Sequence, residues 1–274
     1  MQGAKRTSSG RPSRFQITFP FKMSQIPEAT SDVREQIETH AVRERVADIR
    51  ERIASACAVS GRDVSDITIV AVSKTFPMQA IAAGVASGLV HFGENRARQL
   101  RDKEKARPGR LHDGDVIWRM IGHLQTNKAK YIARHADWFD ALDSDRVAAA
   151  LNERAAKNDR VIPCLVQVNI SGADQKYGLE PSAVHDFLDR CAEYEHLHIR
   201  GLMAMASFTE DPEEVRPQFA SMRELFHSYD DADNPRVDMD ELSLGMSNDF
   251  EVAIEEGSTM IRLGSSIFGP RDYQ

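Results

Sequence analysis

No apolar run in this 274-residue chain approaches the ~20 residues a helix needs to cross a bilayer, so it is read as a chain that does not span a membrane. Cysteine is scarce. Cys57, Cys164 and Cys191 are odd in number and widely spaced, which suits reduced thiols in a cytoplasmic setting better than a disulfide framework or a zinc site. Positive charge is in deficit, 35 Lys and Arg against 42 Asp and Glu for a formal net charge of −7. A nucleic-acid partner needs a basic face, so none is expected. The histidines, His91 and His123 among them, lack metal-ligand spacing and are read as core or surface groups. The acidic stretch YDDADNPRVDMDE (229–241) lacks the spacing of an EF-hand and is read as a solvated connection.

What is present is ordinary for a globular protein of one large domain or two small ones: 41% hydrophobic and 28% charged residues. The first 24 residues stand apart, with Lys5, Arg6, Arg11, Arg14 and Lys22 and no acidic residue. An organellar transit peptide has that composition. Gly10, Pro12 and Pro20 would interrupt its amphipathic helix, which favours a disordered leader or sequence upstream of a start at Met23. Residues 1–24 are expected to play no part in the fold, which is assigned to 25–274.

From Asp32 the pattern is regular. Val33, Ile37, Ala41, Val46, Ile49, Ile53 and Cys57 predict a long amphipathic helix ending near Gly61. Eight short apolar runs follow, at 67–73, 89–92, 116–121, 137–142, 161–169, 198–204, 240–244 and 259–263, with helical patterns between them. The clearest helix has Val215, Phe219, Met222, Phe226 and Tyr229 at alternating spacings of four and three. Pro181 marks a first helical turn, and Asp143 or Ser144 an N-cap. Eight strands alternating with helices over about 250 residues predict a single-domain (β/α)8 TIM barrel. An open doubly wound sheet is the alternative. Its usual G-x-G-x-x-G turn after the first strand is missing, because SKTFPMQ stands there.

Barrel geometry turns these elements into a site, since active sites of the fold lie at the C-terminal strand ends and phosphates are often held after strands seven and eight. Lys74 follows the first strand, Ser247 the seventh, and Gly264 and Ser265 the eighth. Strands one and eight meet when a barrel closes, so an amine would face an anion cradle. Partial burial would lower the pKa of Lys74 and free its lone pair for a Schiff base with a phosphorylated aldehyde. Gly245 and Gly264 would let backbone N–H groups approach the anion.

Seven blocks carry a resemblance: VAVSKTFP (70–77), HFGENRAR (91–98), WRMIGHLQTNK (118–128), VNISGADQKYGL (168–179), IRGLMAMA (199–206), LSLGMSNDFEVAI (242–254) and GSTMIRLGSSIFGPR (257–271). In these the chain resembles the pyridoxal phosphate homeostasis protein family from about residue 32 to 271. The resemblance implies the fold of the N-terminal barrel domain of alanine racemase, with pyridoxal 5′-phosphate (PLP) held as a Schiff base on Lys74. It also implies phosphate contacts from Ser247, Gly264 and Ser265, and Arg262 beside the pyridine ring. Asn95 and Met203 would be ring or pocket neighbours. The chain departs from the family in Ser265, where many relatives carry threonine, in Leu244, where methionine is frequent, and in Phe76. The GHLQTNK segment is read as a helix start with Lys128 and Lys130 on its surface, and Lys176 as a lid residue or second amine.

Arg262 would keep the ring nitrogen unprotonated and weaken the electron sink. Alanine racemase takes its second base, a tyrosine, from an additional β domain, which this chain, ending at Gln274, would not build. The expected role is therefore storage, buffering or delivery of PLP in the cytoplasm, by a monomer with little or no catalysis and with PLP-dependent apoenzymes as partners. Two alternatives stay open: a PLP-dependent amino-acid racemase, and a PLP-free Schiff-base aldolase acting on a phosphorylated sugar.

Overall fold

The computed structural model describes residues 31–106, 116–171, 177–229 and 234–270, with side chains at residue 36 and from residue 38. The segment 1–24 lies outside them. Eight parallel strands close a barrel in chain order: β1 (Thr68–Val72), β2 (His91–Glu94), β3 (Ile117–Met120), β4 (Trp138–Leu142), β5 (Ile162–Val168), β6 (Leu197–Ala204), β7 (Val237–Ser243) and β8 (Met260–Leu263). The apolar runs became strands because both faces are covered, by side chains within the barrel and by helices outside it. Closure comes from β1 pairing with β8, Thr68 opposite Met260 and Val70 opposite Arg262.

The helices are α1 (Ser31–Ser60), α2 (Met78–Ala86), α3 (Ala97–Lys105), α4 (Ala129–His135), α5 (Asp145–Ala156), α6 (Val184–Cys191), α7 (Arg216–Ser228), α8 (Phe250–Glu255) and α9 (Ser265–Phe268). Pro181 opens a short 3₁₀ turn that leads into α6. Ser144 sits at the N-cap of α5 without a side-chain capping bond; its hydroxyl donates instead to the Asp143 carboxylate. Two strands, β2 and β7, differ from expectation by more than one residue. Leu89 is buried at the end of α2, its N–H donating to the Gly84 carbonyl, so β2 starts later. At the other end, β7 begins inside the acidic stretch expected to be a connection. Val237 and Glu241 pair in register with Ile199 and Gly201 of β6, and Asp238 and Asp240 form ion pairs with His198 and Arg200 of that strand.

Charge also lies inside the barrel. Arg119 of β3 donates from Nε and Nη2 to both oxygens of Asp140 on β4, at 2.7 and 3.0 Å, and both residues are fully buried. The guanidinium also lies over the Trp138 ring, 4.0 Å from its centroid. His91 approaches the pair, with Nδ1 3.5 Å from Arg119 Nη1. Burial and then the Arg119 charge pull the imidazole from 6.5 down to about 4.

Between those two pH values the unfolded chain binds a proton at His91 that the folded chain does not. Stability from this group is thus complete above about pH 6.5 and is lost as pH falls toward 4. At pH 5 the deficit relative to pH 7 is about 2 kcal/mol. His91→Gln is expected to remove that part of the pH slope in urea unfolding measured at pH 7 and pH 5. An unchanged slope would show that His91 does not titrate in this way.

Candidate functional site

A cavity of about 1320 Å³ opens at the C-terminal ends of the strands, and Lys74, Asn95, Ser247, Arg262, Gly264 and Ser265 all line it. Met203 does not line it. Fully buried in β6, it pairs in register with Gln167 and Ser243; Gln167 lines the cavity, so Met203 faces inward beneath the floor.

Lys74 stands on a turn fixed from three directions. The Ser73 N–H donates to the Gly93 carbonyl at 3.0 Å, and the Ser73 carbonyl accepts from Phe76 N–H at 3.0 Å and from Lys103 Nζ at 2.8 Å. The Ser73 hydroxyl donates to Glu94 Oε1 at 2.7 Å, the same oxygen that Lys103 reaches at 2.5 Å. Ser73 and Glu94 are fully buried. Thr75, next to Lys74, has φ of 71°, an outlier for a β-branched residue that costs on the order of 1–3 kcal/mol. Beyond it, the Phe76 ring packs on Phe268 of α9 at a centroid distance of 4.9 Å. The lysine turn is thereby joined to the segment that carries Gly264 and Ser265.

The loop after β7 brings up Ser247. Gly245, with φ of 88°, adopts a conformation that L side chains disfavour, and a Cβ there would lie 2.7 Å from that of Ala253. Asp249 closes the turn by accepting the Met246 N–H at 2.6 Å; burial nevertheless pushes its carboxyl above the usual range. Ser247 Oγ and Ser265 Oγ are 3.5 Å apart. That is at the outer limit of a hydrogen bond, so the two hydroxyls sit side by side in the lining without a strong bond between them.

Arg262 forms part of the floor. Its Nη1 donates to the Ser243 carbonyl (2.8 Å) and hydroxyl (2.7 Å), and its Nη2 to the Ala204 carbonyl (2.7 Å). Burial lowers it to about 10 against the opposing pull of Asp140 and Asp249, so it remains a cation at neutral pH.

On the opposite wall, Gly122 permits the loop after β3 to close on that after β2, since a Cβ there would meet the Asn95 carbonyl oxygen at 2.5 Å. This places His123 in the lining. Its Nδ1 lies 2.9 Å from Asp143 Oδ2 and its ring stacks on Tyr177 at 3.9 Å, with 10° between the planes. Lys128, expected on a helix surface, lines the cavity, whereas Lys130 is exposed with Nζ over the Tyr131 ring. Lys176 lies outside the described residues. Sequence reasoning did not find Glu94, Lys103, Arg119, Asp140 or Asp249. Only Asp249 carried a local signal, as the last residue of a G-M-S-N-D turn.

A parallel eight-stranded barrel with an amine after β1 and hydroxyls after β7 and β8 has known counterparts. The family model described as alanine racemase, N-terminal domain, matches residues 37–272, and the chain belongs to that class of barrels. Among curated relatives, the pyridoxal phosphate homeostasis protein of Aquifex aeolicus (strain VF5) is 38% identical over 230 residues, 84% of this chain and 98% of the relative. That of Escherichia coli (strain K12) is 37% identical over 232 residues, 85% and 97% of the two chains. Within the class, the chain is a member of the pyridoxal phosphate homeostasis protein family. A solved structure of PipY from Synechococcus elongatus PCC7942, with PLP bound, is 31% identical and aligns with a TM-score of 0.70 over 83% of this chain and 100% of that one.

Proposed function

We propose that this protein binds PLP in the cavity and serves cofactor homeostasis, as a store, buffer or donor with little or no catalysis. The observation that carries this reading is that one cavity is lined by the Lys74 amine, the Ser247 and Ser265 hydroxyls and the Arg262 cation. That donor set fits the cofactor: an amine for its aldehyde, hydroxyls for its phosphate and a buried guanidinium at the floor. PLP supplies a carbonyl carbon that primary amines capture, together with a pyridine ring that can withdraw electrons.

In this reading Lys74 Nζ makes the covalent attachment, on a turn held by Lys103 and Glu94. Ser247 and Ser265 bind the phosphate. Arg262, already tied to the Ser243 and Ala204 carbonyls, disfavours a proton on a ring nitrogen facing it and so restrains carbanion chemistry. Asn95 contributes to the wall, and Met203 supports the floor from below. The protein works in the cytoplasm as a monomer and passes cofactor to PLP-dependent apoenzymes. A racemase reading needs a further proton-transfer group, and His123, oriented by Asp143, and Tyr177, stacked on it, are lining residues that could supply one.

The purified protein is expected to show a visible absorbance band that Lys74→Ala loses, and borohydride should fix the label on the peptide containing Lys74. Incubation with L-alanine should leave its chirality unchanged. A label on another lysine, or no band after PLP is added, defeats the assignment, and D-alanine would establish the racemase.

A further inference from the structure

The cavity holds more positive charge than the proposed cofactor can neutralise. Lys74, Arg96, Arg98, Lys128 and Arg262 line it, and no Asp or Glu does so among the described residues, in a chain whose net charge is −7. A phosphate monoester carries about −2 at most at neutral pH. Attachment would take up Lys74, and Arg262 is already engaged at the floor. Arg96, Arg98 and Lys128 remain, on the wall formed by the loops after β2 and β3, and their side chains make no ion pair or hydrogen bond with any described residue.

The bland alternative is a solvated charged helix face. The rest of α3 does not behave that way: Lys103 pairs with Glu94, and Arg101 with Asp102 and the Tyr131 ring. Arg96 is the N-cap of α3 and makes no side-chain capping bond, Arg98 is in the first turn, and that turn has no acidic residue. Cations at the positive end of a helix are unfavourable by about 0.3–1 kcal/mol each, and these two also repel one another. A misplacement of this kind, inside a cavity, is what a binding site for negative charge requires. Space is available as well, since the cavity of about 1320 Å³ exceeds the roughly 300–1,000 Å³ usual for a single small ligand.

We propose that Arg96, Arg98 and Lys128 form a second anion subsite, separate from the Ser247–Ser265 cradle, for a small phosphate- or carboxylate-bearing molecule. The proposal rests on the reading of the serine end as the place of the cofactor phosphate. Guanidinium forks suit both anions, because each offers paired oxygens. His123 and Gln125, which also line this wall, give further polar contacts.

The test uses protein loaded with PLP and fixed by borohydride, so that Lys74 and the serine end are filled. It is titrated calorimetrically with inorganic phosphate and with succinate at low ionic strength, beside the fixed Arg96→Gln/Arg98→Gln variant. Both arginines are exposed, so the variant should melt like the parent. One anion per chain should bind the parent, and about tenfold or more weakly the variant, for loss of charge-assisted bonds. Binding should weaken with salt. Preference for phosphate assigns phosphate esters as the ligand class, and preference for succinate assigns carboxylates. Absence of saturable binding, or equal binding by parent and variant, overturns the subsite. If fixation labels nothing, the cofactor reading fails instead. The unfixed protein then decides the subsite, by comparing Arg96→Gln/Arg98→Gln with Ser247→Ala/Ser265→Ala: equal phosphate binding by parent and arginine variant overturns it.

Discussion

Arg119→Met is expected to lower folding stability by about 3–5 kcal/mol, the usual effect of removing one member of a buried ion pair. Asp140 would keep its charge at a fully buried position and lose both bonds to Arg119, at 2.7 and 3.0 Å. Methionine restores much of the buried volume, so the loss measures the stranded carboxylate more than a cavity. The cation over the Trp138 ring is lost too, which adds about 1–2 kcal/mol at a desolvated site. Against a total of roughly 5–15 kcal/mol for a typical domain, this is a large fraction. Arg119→Met/Asp140→Leu should recover most of the loss, since replacing both partners leaves no uncompensated charge. Urea unfolding at constant m-value reads both variants. A single variant within 1 kcal/mol of the parent would mean that water or Arg262 compensates Asp140, and the pair would not organise the barrel interior.

The barrel was legible because its strands are buried on both faces and therefore appear as short apolar runs, ITIVAV and VIPCLVQV the plainest. Lys74, Ser247, Gly264 and Ser265 were legible from topology, since barrel closure makes β1 and β8 neighbours however far apart they lie in the chain. Ion pairs across strands were not legible. Arg119 and Asp140 are 21 residues apart, and nothing in their local context separates a buried charge from a solvated one. Lys128 was read as surface for the same reason. The strand shift at β7 has a comparable origin: Asp238 looks like a loop residue until His198 appears opposite it.

Lys103→Met should have a comparable effect on stability and, unlike Arg119→Met, a specific effect on the site. Glu94 is fully buried, and Lys103 is its cationic partner at 2.5 Å. Its other oxygen, Oε2, is buried without a hydrogen-bond partner, so little else offsets the charge. About 3–5 kcal/mol is expected from the stranded carboxylate. The second consequence follows from the Ser73 carbonyl, which accepts from the same Nζ at 2.8 Å and lies directly before Lys74. Without that bond, the turn holding Thr75 at φ of 71° loses a restraint against relaxing its strain, and Lys74 is held less firmly in the cavity it lines together with Ser247 and Ser265. Glu94→Gln/Lys103→Met should regain most of the stability, because the buried charge is gone, but should not regain the fixed turn. The separating measurement is covalent PLP label per chain after borohydride, compared with PLP retained without it. In the double variant the label should fall several-fold while reversible binding through the phosphate end persists. Equal labelling of parent and double variant would assign the Ser73–Glu94–Lys103 network to stability alone.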